Sequence, residues 1–204
     1  MTVLTDITDW LHSLPVFTRC WFGLSVLFPI LSRFGLVDPQ YLVLSYVDFL
    51  KGLQIWRPVT AMFVYPMNFH YLENLYILCT YSTRLETGHF DGNPAHYLFM
   101  LLFNWICIVV SLYVGSWLSS ASRTRVINEC RHPRRLLMDP MVLSVLYVWC
   151  QLHENVIVNF WFGTQFRAIY IPWVLFVLNL MISGGGLYEL IGILVGHLSY
   201  LLFT

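Results

Sequence analysis

Residues 96–118 read HYLFMLLFNWICIVVSLYVGSWL, a run without a single Asp, Glu, Lys or Arg. A helix needs about 20 apolar residues to cross a hydrocarbon core about 30 Å thick, and this run meets that length. Further apolar segments lie on either side of it, at 17–37, 67–83, 140–152, 169–183 and 187–203. Segment 17–37 is also long enough to cross. The other four run about 13 to 17 residues, one or two turns short. Short spans are either buried by neighbouring helices or force the bilayer to thin locally. No internal repeat or low-complexity stretch divides the chain. The expected fold is an all-α integral membrane protein with six transmembrane helices and one domain over residues 1–204.

Composition agrees. Hydrophobic residues make up 58% of the chain and charged residues 11%, with a mean hydropathy of +0.66. Soluble domains carry about a quarter charged residues, so this chain has too few charges to cover a globular surface. Net charge is zero and the pI is about 7.0. Nothing here resembles the clustered basic face of a nucleic-acid binder, and no nucleic-acid partner is expected. The five cysteines, Cys20, Cys79, Cys107, Cys130 and Cys150, lack metal-ligand spacing. Neither a metal, a cofactor nor a disulfide framework is expected.

The N-terminal residues hold Asp6 and Asp9 but no Lys or Arg before Arg19, the reverse of a cleavable signal's basic start. Ile7, Trp10, Leu11 and Leu14 recur at helical spacing, so residues 5–15 are expected to form an amphipathic helix lying on the membrane. The first span would then act as an uncleaved signal anchor. The connection 38–66 is apolar but broken by Asp48, Lys51, Gly52 and Pro58, and reads as interfacial helices dipping into one leaflet. Residues 84–95 read as a turn-rich loop. Residues 119–139 form a basic loop with Arg123, Arg125, Arg131, Arg134 and Arg135. A solvated loop is favoured there over a lipid-headgroup site. With the N-terminus in the cytosol, Arg33, Lys51, Arg57 and these five arginines would face the lumen. The positive-inside rule alone prefers the opposite orientation, and composition leaves orientation open.

Four features carry a more specific signal. Gln54-Ile55-Trp56-Arg57-Pro58 sets an interfacial tryptophan beside an arginine able to pair with phosphate or loop carbonyls. His70 and Asn74 are polar positions inside the second span. Glu86 lies in Ser82-Thr83-Arg84-Leu85-Glu86-Thr87-Gly88. In the sixth span, Gly192 and Gly196 form a Gly-x-x-x-Gly ridge that lets another helix approach closely. The order of a Trp-Arg loop, a polar second span and a Glu-x-x-Gly-like exit resembles the rhomboid superfamily. The wording of residues 81–92, 97–105, 160–164, 170–173 and 192–197 is similar to the derlin branch of that superfamily. The resemblance covers residues 9–203 apart from the basic loop.

That resemblance implies a rhomboid-like bundle of six spans in the endoplasmic reticulum membrane with both termini cytosolic. It implies retrotranslocation, the extraction of misfolded proteins for ubiquitination and proteasomal degradation, by a protein that thins the bilayer and opens laterally. The implied partners are misfolded clients, a membrane ubiquitin ligase complex, the AAA ATPase valosin-containing protein, other derlins in homo- or hetero-oligomers, and membrane lipids. Two departures stand out. The basic loop is longer than the family pattern. The family's cytosolic tail, which docks the ATPase, is expected to be absent because the sequence stops at Thr204, so docking through it is not expected.

Rhomboid proteases place a nucleophilic serine in a Gly-x-Ser-Gly turn on the fourth span and a histidine base on the sixth. His197 stands where that histidine would be, and Asn74 resembles the polar group near the oxyanion. Ser144 lies on the fourth span, but no glycine flanks it. A lone serine in a membrane helix commonly bonds its own backbone or aids packing. His70, Asn74, Glu86, Ser144 and His197 are therefore read as polar relics, His197 as a packed and hydrogen-bonded one, with no catalytic residue. The alternatives are an active intramembrane serine protease, or a small-solute channel lined by His70, Glu73, Asn74, Asn104, Asn179 and Glu189. No inverted repeat favours a transporter.

Overall fold

The computed structural model describes residues 2–38, 42, 44, 54, 56–121, 137–159, 164–183 and 186–203. Helix α1 is Thr2–Ser13 and α2 is Val16–Arg33. Pro15 separates them: its own backbone is extended at φ −61° and ψ 155°, and its ring disfavours helical backbone at Leu14 before it. The surface helix thus starts and ends earlier than the expected 5–15. The helix of the first apolar segment ends at Arg33 and not at 37. Gly35 adopts φ +72°, its N–H bonds Ser32 O, and the Leu36 N–H bonds Leu31 O. This is a Schellman stop, which a left-handed glycine makes cheaply.

Helix α3, Trp56–Thr60, is short, and α4 spans Phe69–Arg84. Asn68 caps α4 by accepting from the Tyr71 N–H at 2.9 Å. A single wide helical turn, Leu85–His89, continues α4, so the expected loop 84–95 is half helical. A tight turn with Gly92 at φ +79° then leads into α5, Pro94–Ala121. Helix α6 is Met138–Leu152, α7 is Ile171–Ser183 and α8 is Leu187–Phe203. The all-α expectation needs one correction. Strands β1, Ile157–Asn159, and β2, Gln165–Arg167, pair antiparallel with Val158 opposite Phe166. Most of the basic loop, and residues 39–41, 43, 45–53 and 55 of the connection 38–66, lie outside the described residues.

Helices form in all six apolar segments. Among the described residues, only α5 is long and apolar enough to cross a membrane by itself, over Pro94–Gly115. Its outer face presents Phe99, Leu102, Ile106, Val110, Val114 and Trp117, all exposed, repeating at helical spacing. Exposed apolar side chains also cover α2, α7 and α8. Such a continuous apolar surface belongs in lipid. Helix α6 behaves differently. Every residue from Pro140 to Cys150 is buried, enclosed by α4, α5, α7 and α8. A helix of 15 residues is about 22 Å long. Its shortness is tolerated because protein surrounds it.

Candidate functional site

The first turns of α4 and α6 meet in a polar cluster. His70 Nδ1 lies 3.2 Å from Glu73 Oε2, and His70 Nε2 lies 3.3 Å from Asp139 Oδ1. Both ring nitrogens face carboxylates, an arrangement that an imidazolium satisfies with its two N–H donors. Asn74 Nδ2 donates to Asp139 Oδ1 at 2.7 Å, and the Tyr65 hydroxyl donates to Asp139 Oδ2 at 3.2 Å. Burial, with the Asp139 charge beside it, raises the Tyr65 phenol above its ordinary range and keeps it a donor. Asp139 is thus the hub, accepting from Tyr65, Asn74 and His70.

From this cluster a groove runs along the bundle. Asn74, Ile77 and Tyr81 on α4 follow one stripe, and Ile171, Leu175 and Asn179 on α7 follow another at four-residue spacing. Leu146 of α6 forms part of the floor. At the polar end is a cavity of about 10 Å³, room for about one water. Farther along, a cavity of about 180 Å³ opens beside Tyr76, Tyr81 and Asn159. The two share Ile77, Leu146 and Leu175, so the groove is polar at its ends and apolar in its middle. Glu189 of α8 is 6% exposed and faces the small cavity. Among the described residues no three His, Cys, Asp or Glu side chains converge to hold a metal ion.

Ser144 and His197 are not joined. The Ser144 hydroxyl is fully buried and donates to Met141 O of its own helix at 2.7 Å. His197 lies on the exposed side of α8, and its Nδ1 is 3.1 Å from the Tyr147 hydroxyl. It is hydrogen-bonded but not packed inside, which corrects half of the expectation for it. A serine–histidine nucleophile needs the base within hydrogen-bond reach of the hydroxyl, and here each has another partner. Between them lies the glycine ridge. A Cβ at Gly192 would sit 2.7 Å from Pro140 O, and one at Gly196 would sit 2.9 Å from Ser144 O. Both glycines press α8 onto the backbone of α6.

Trp56 and Arg57 have different surroundings. Trp56 is 55% exposed and Arg57 is 4% exposed, with Arg57 Nε donating to Gln54 Oε1. The α3 segment is tied to two helices. Trp105 Nε1 donates to Pro58 O at 3.0 Å, and the Leu137 N–H, at the entry to α6, donates to Ala61 O at 3.2 Å. Arg57 belongs to the structure of this junction, and Trp56 is presented to the surroundings.

Glu86 stands apart, about 24 Å from His70 and about 18 Å from Asn74 along α4 and its continuation. Its carboxylate accepts from the Phe17 N–H at 3.1 Å, the Thr18 N–H at 2.9 Å and the Thr18 hydroxyl at 2.8 Å. Those are unpaired amides of the first turn of α2, where a carboxylate also complements the helix dipole. Thr18 Oγ1 lies 2.7 Å from Ser82 Oγ, which in turn bonds the Tyr97 hydroxyl. This buried network joins α2, α4 and α5. Asp139 and Tyr65 were not anticipated as site residues. A signal for Asp139 was present: Asp-Pro directly before an apolar run marks a helix start.

A sequence model of the Der1-like family matches residues 14–204. The chain is 50% identical to human Derlin-1 over 203 residues, covering 98% of this chain and 74% of that protein. It is 40% identical to Derlin-1 of Caenorhabditis elegans over 201 residues, covering 94% and 73%. It is 36% identical to Derlin-1 of Drosophila melanogaster over 199 residues, covering 96% and 74%. With a family match over nearly the whole length and a membrane-suited apolar surface around a buried α6, the chain belongs to the Der1-like, or derlin, family of membrane proteins.

Proposed function

We propose that this protein is a non-catalytic component of retrotranslocation, passing misfolded polypeptides from the endoplasmic reticulum to the cytosol for ubiquitin-dependent degradation. The observation that carries this reading is the groove between α4 and α7, polar at both ends and apolar in the middle. A polypeptide moving through a membrane must exchange water for other hydrogen-bond partners, and this groove offers them. Six spans with both termini cytosolic fit the segments, residues 84–95 then facing the cytosol and the basic loop the lumen. The short helices around the groove would thin the bilayer locally, lowering the cost of moving polar chain. The partners expected on this reading are misfolded clients, a membrane ubiquitin ligase complex, valosin-containing protein and other derlins.

The separation of Ser144 from His197 supports a role without peptide hydrolysis. Both readings are tested in cells lacking the protein by following the half-life of a misfolded membrane client. Re-expression of the wild type and of Ser144→Ala should restore degradation equally. Loss of rescue by Ser144→Ala, with covalent labelling of Ser144 by a fluorophosphonate in the wild type, would instead establish a protease.

A further inference from the structure

We propose that the acidic end of this groove is a binding site for a primary ammonium, supplied by a lysine in an otherwise apolar segment of the client polypeptide. The inference rests on the retrotranslocation reading and names the side-chain chemistry that the groove selects. Three carboxylates, Glu73, Asp139 and Glu189, line the small cavity against one imidazole, that of His70. Asp139 and Glu73 are served by His70, Asn74 and Tyr65. One oxygen of Glu189 is not: Oε2 is buried and has no hydrogen-bond partner among the described residues. A buried carboxylate oxygen without a donor is costly, and a ligand that brings a donor relieves that cost.

Size and reach select the donor. The room beside Glu189 is about that of one water, and an ammonium is a compact group with three N–H donors, whereas a guanidinium is a wide planar fork. Ile77, Leu146 and Leu175 line both the small and the larger cavity. A lysine stem of four methylenes suits such an apolar passage while its charged end reaches the carboxylates. A client segment seated in the cavity of about 180 Å³ can therefore hold its backbone there and extend a lysine past Leu146 and Leu175. An acidic residue at the same place would meet carboxylates and be rejected.

The test uses the full chain reconstituted in phosphatidylcholine nanodiscs with single-span peptides that carry photo-leucine beside one variable position: Leu, Lys or Asp. Crosslinks to the groove are mapped by mass spectrometry. The lysine peptide should crosslink about tenfold more than the leucine peptide, the scale of a charge-assisted hydrogen bond, and the aspartate peptide least. Glu189→Gln, which keeps the side chain's size, should bring the lysine peptide down to the leucine level while leaving the leucine peptide unchanged. Equal crosslinking of lysine and leucine peptides in the wild type overturns the ammonium site but leaves the groove as a client path. Absence of groove crosslinks from every peptide overturns both. Loss of the lysine preference when phosphatidylethanolamine is added assigns the pocket to a lipid headgroup and overturns the client reading.

Discussion

Replacing Gly192 by alanine adds one methyl group at a place where α8 rests on the backbone of α6. The new Cβ would stand 2.7 Å from Pro140 O and 2.9 Å from Pro140 Cα, against 3.4 Å or more for ordinary contact. Helix α8 must therefore retreat by about 0.7 Å, the difference between those distances. Backbone atoms are hit, so no rotamer change relieves the clash. A gap of 0.5–1 Å forfeits about a quarter to a half of the dispersion attraction of each facing pair, and overpacking of this kind costs about 1–3 kcal/mol. Alanine regains about 1 kcal/mol over glycine in helix propensity, leaving a net loss of about 0–2 kcal/mol. Gly23 supplies the control. It lies in α2, and a methyl group added there would meet nothing within 4 Å, so Gly23→Ala should be neutral or stabilising. The pair Gly192→Ala and Gly196→Ala adds a sharper requirement. Both clashes push α8 in the same direction, so once one has displaced the helix the second costs less, and the double variant should lose less than the sum of the singles. Reversible unfolding in mild detergent, followed by tryptophan fluorescence, reads these differences. A Gly192→Ala protein as stable as Gly23→Ala would refute the close-packing account.

Three other outcomes follow from the contacts. Glu86→Ala should lower stability by about 1–3 kcal/mol by leaving the first-turn amides of α2 unpaired. Limited proteolysis should then cut sooner near the junction of α1 and α2, and Glu86→Gln, which keeps one acceptor oxygen, should be milder. Asp139→Asn removes the charge and one of the two oxygens that accept from His70, Asn74 and Tyr65 and should cost about 1–3 kcal/mol, measured by the same unfolding; an unchanged midpoint would show that the cluster adds no net stability. Trp56→Ala should leave the unfolding midpoint nearly unchanged, because the side chain is over half exposed, yet slow client degradation. Arg57→Ala should lower both, and client half-lives that match wild type in both variants would remove the α3 junction from the mechanism.

Much of this architecture was legible because lipid enforces a simple rule: backbone crossing it must be helical, so long apolar runs mark helices. The six segments and the close approach at Gly192 and Gly196 were readable for that reason. Boundaries were less so, since 34–37 is apolar but is ended by the backbone conformation of Gly35, which hydropathy does not register. The β1–β2 ribbon is three residues long on each strand, too short for alternation to stand out. Asp139 was hidden by its sequence neighbours: grouped with a basic loop, it joins α6 and turns toward α4. Glu86 carried a family signature but not its physical task, which depends on amides of α2 brought close only by folding. His197 was placed on the correct helix, but the one-residue offset from Gly196 puts it on another face.

The enclosure of α6 has a consequence for how the protein is made. The helix leaves the ribosome well before α8, which begins 35 residues after α6 ends (187 − 152). At about 5–20 residues per second, α8 starts to appear roughly 2–7 s later. Over that interval α6 lacks the neighbour against which its glycine-matched face fits, and it is too short to settle across the bilayer unaided. Each newly made chain thus passes through a period in which its buried α6 has the character of an unassembled segment, and the arrival of α8 ends it.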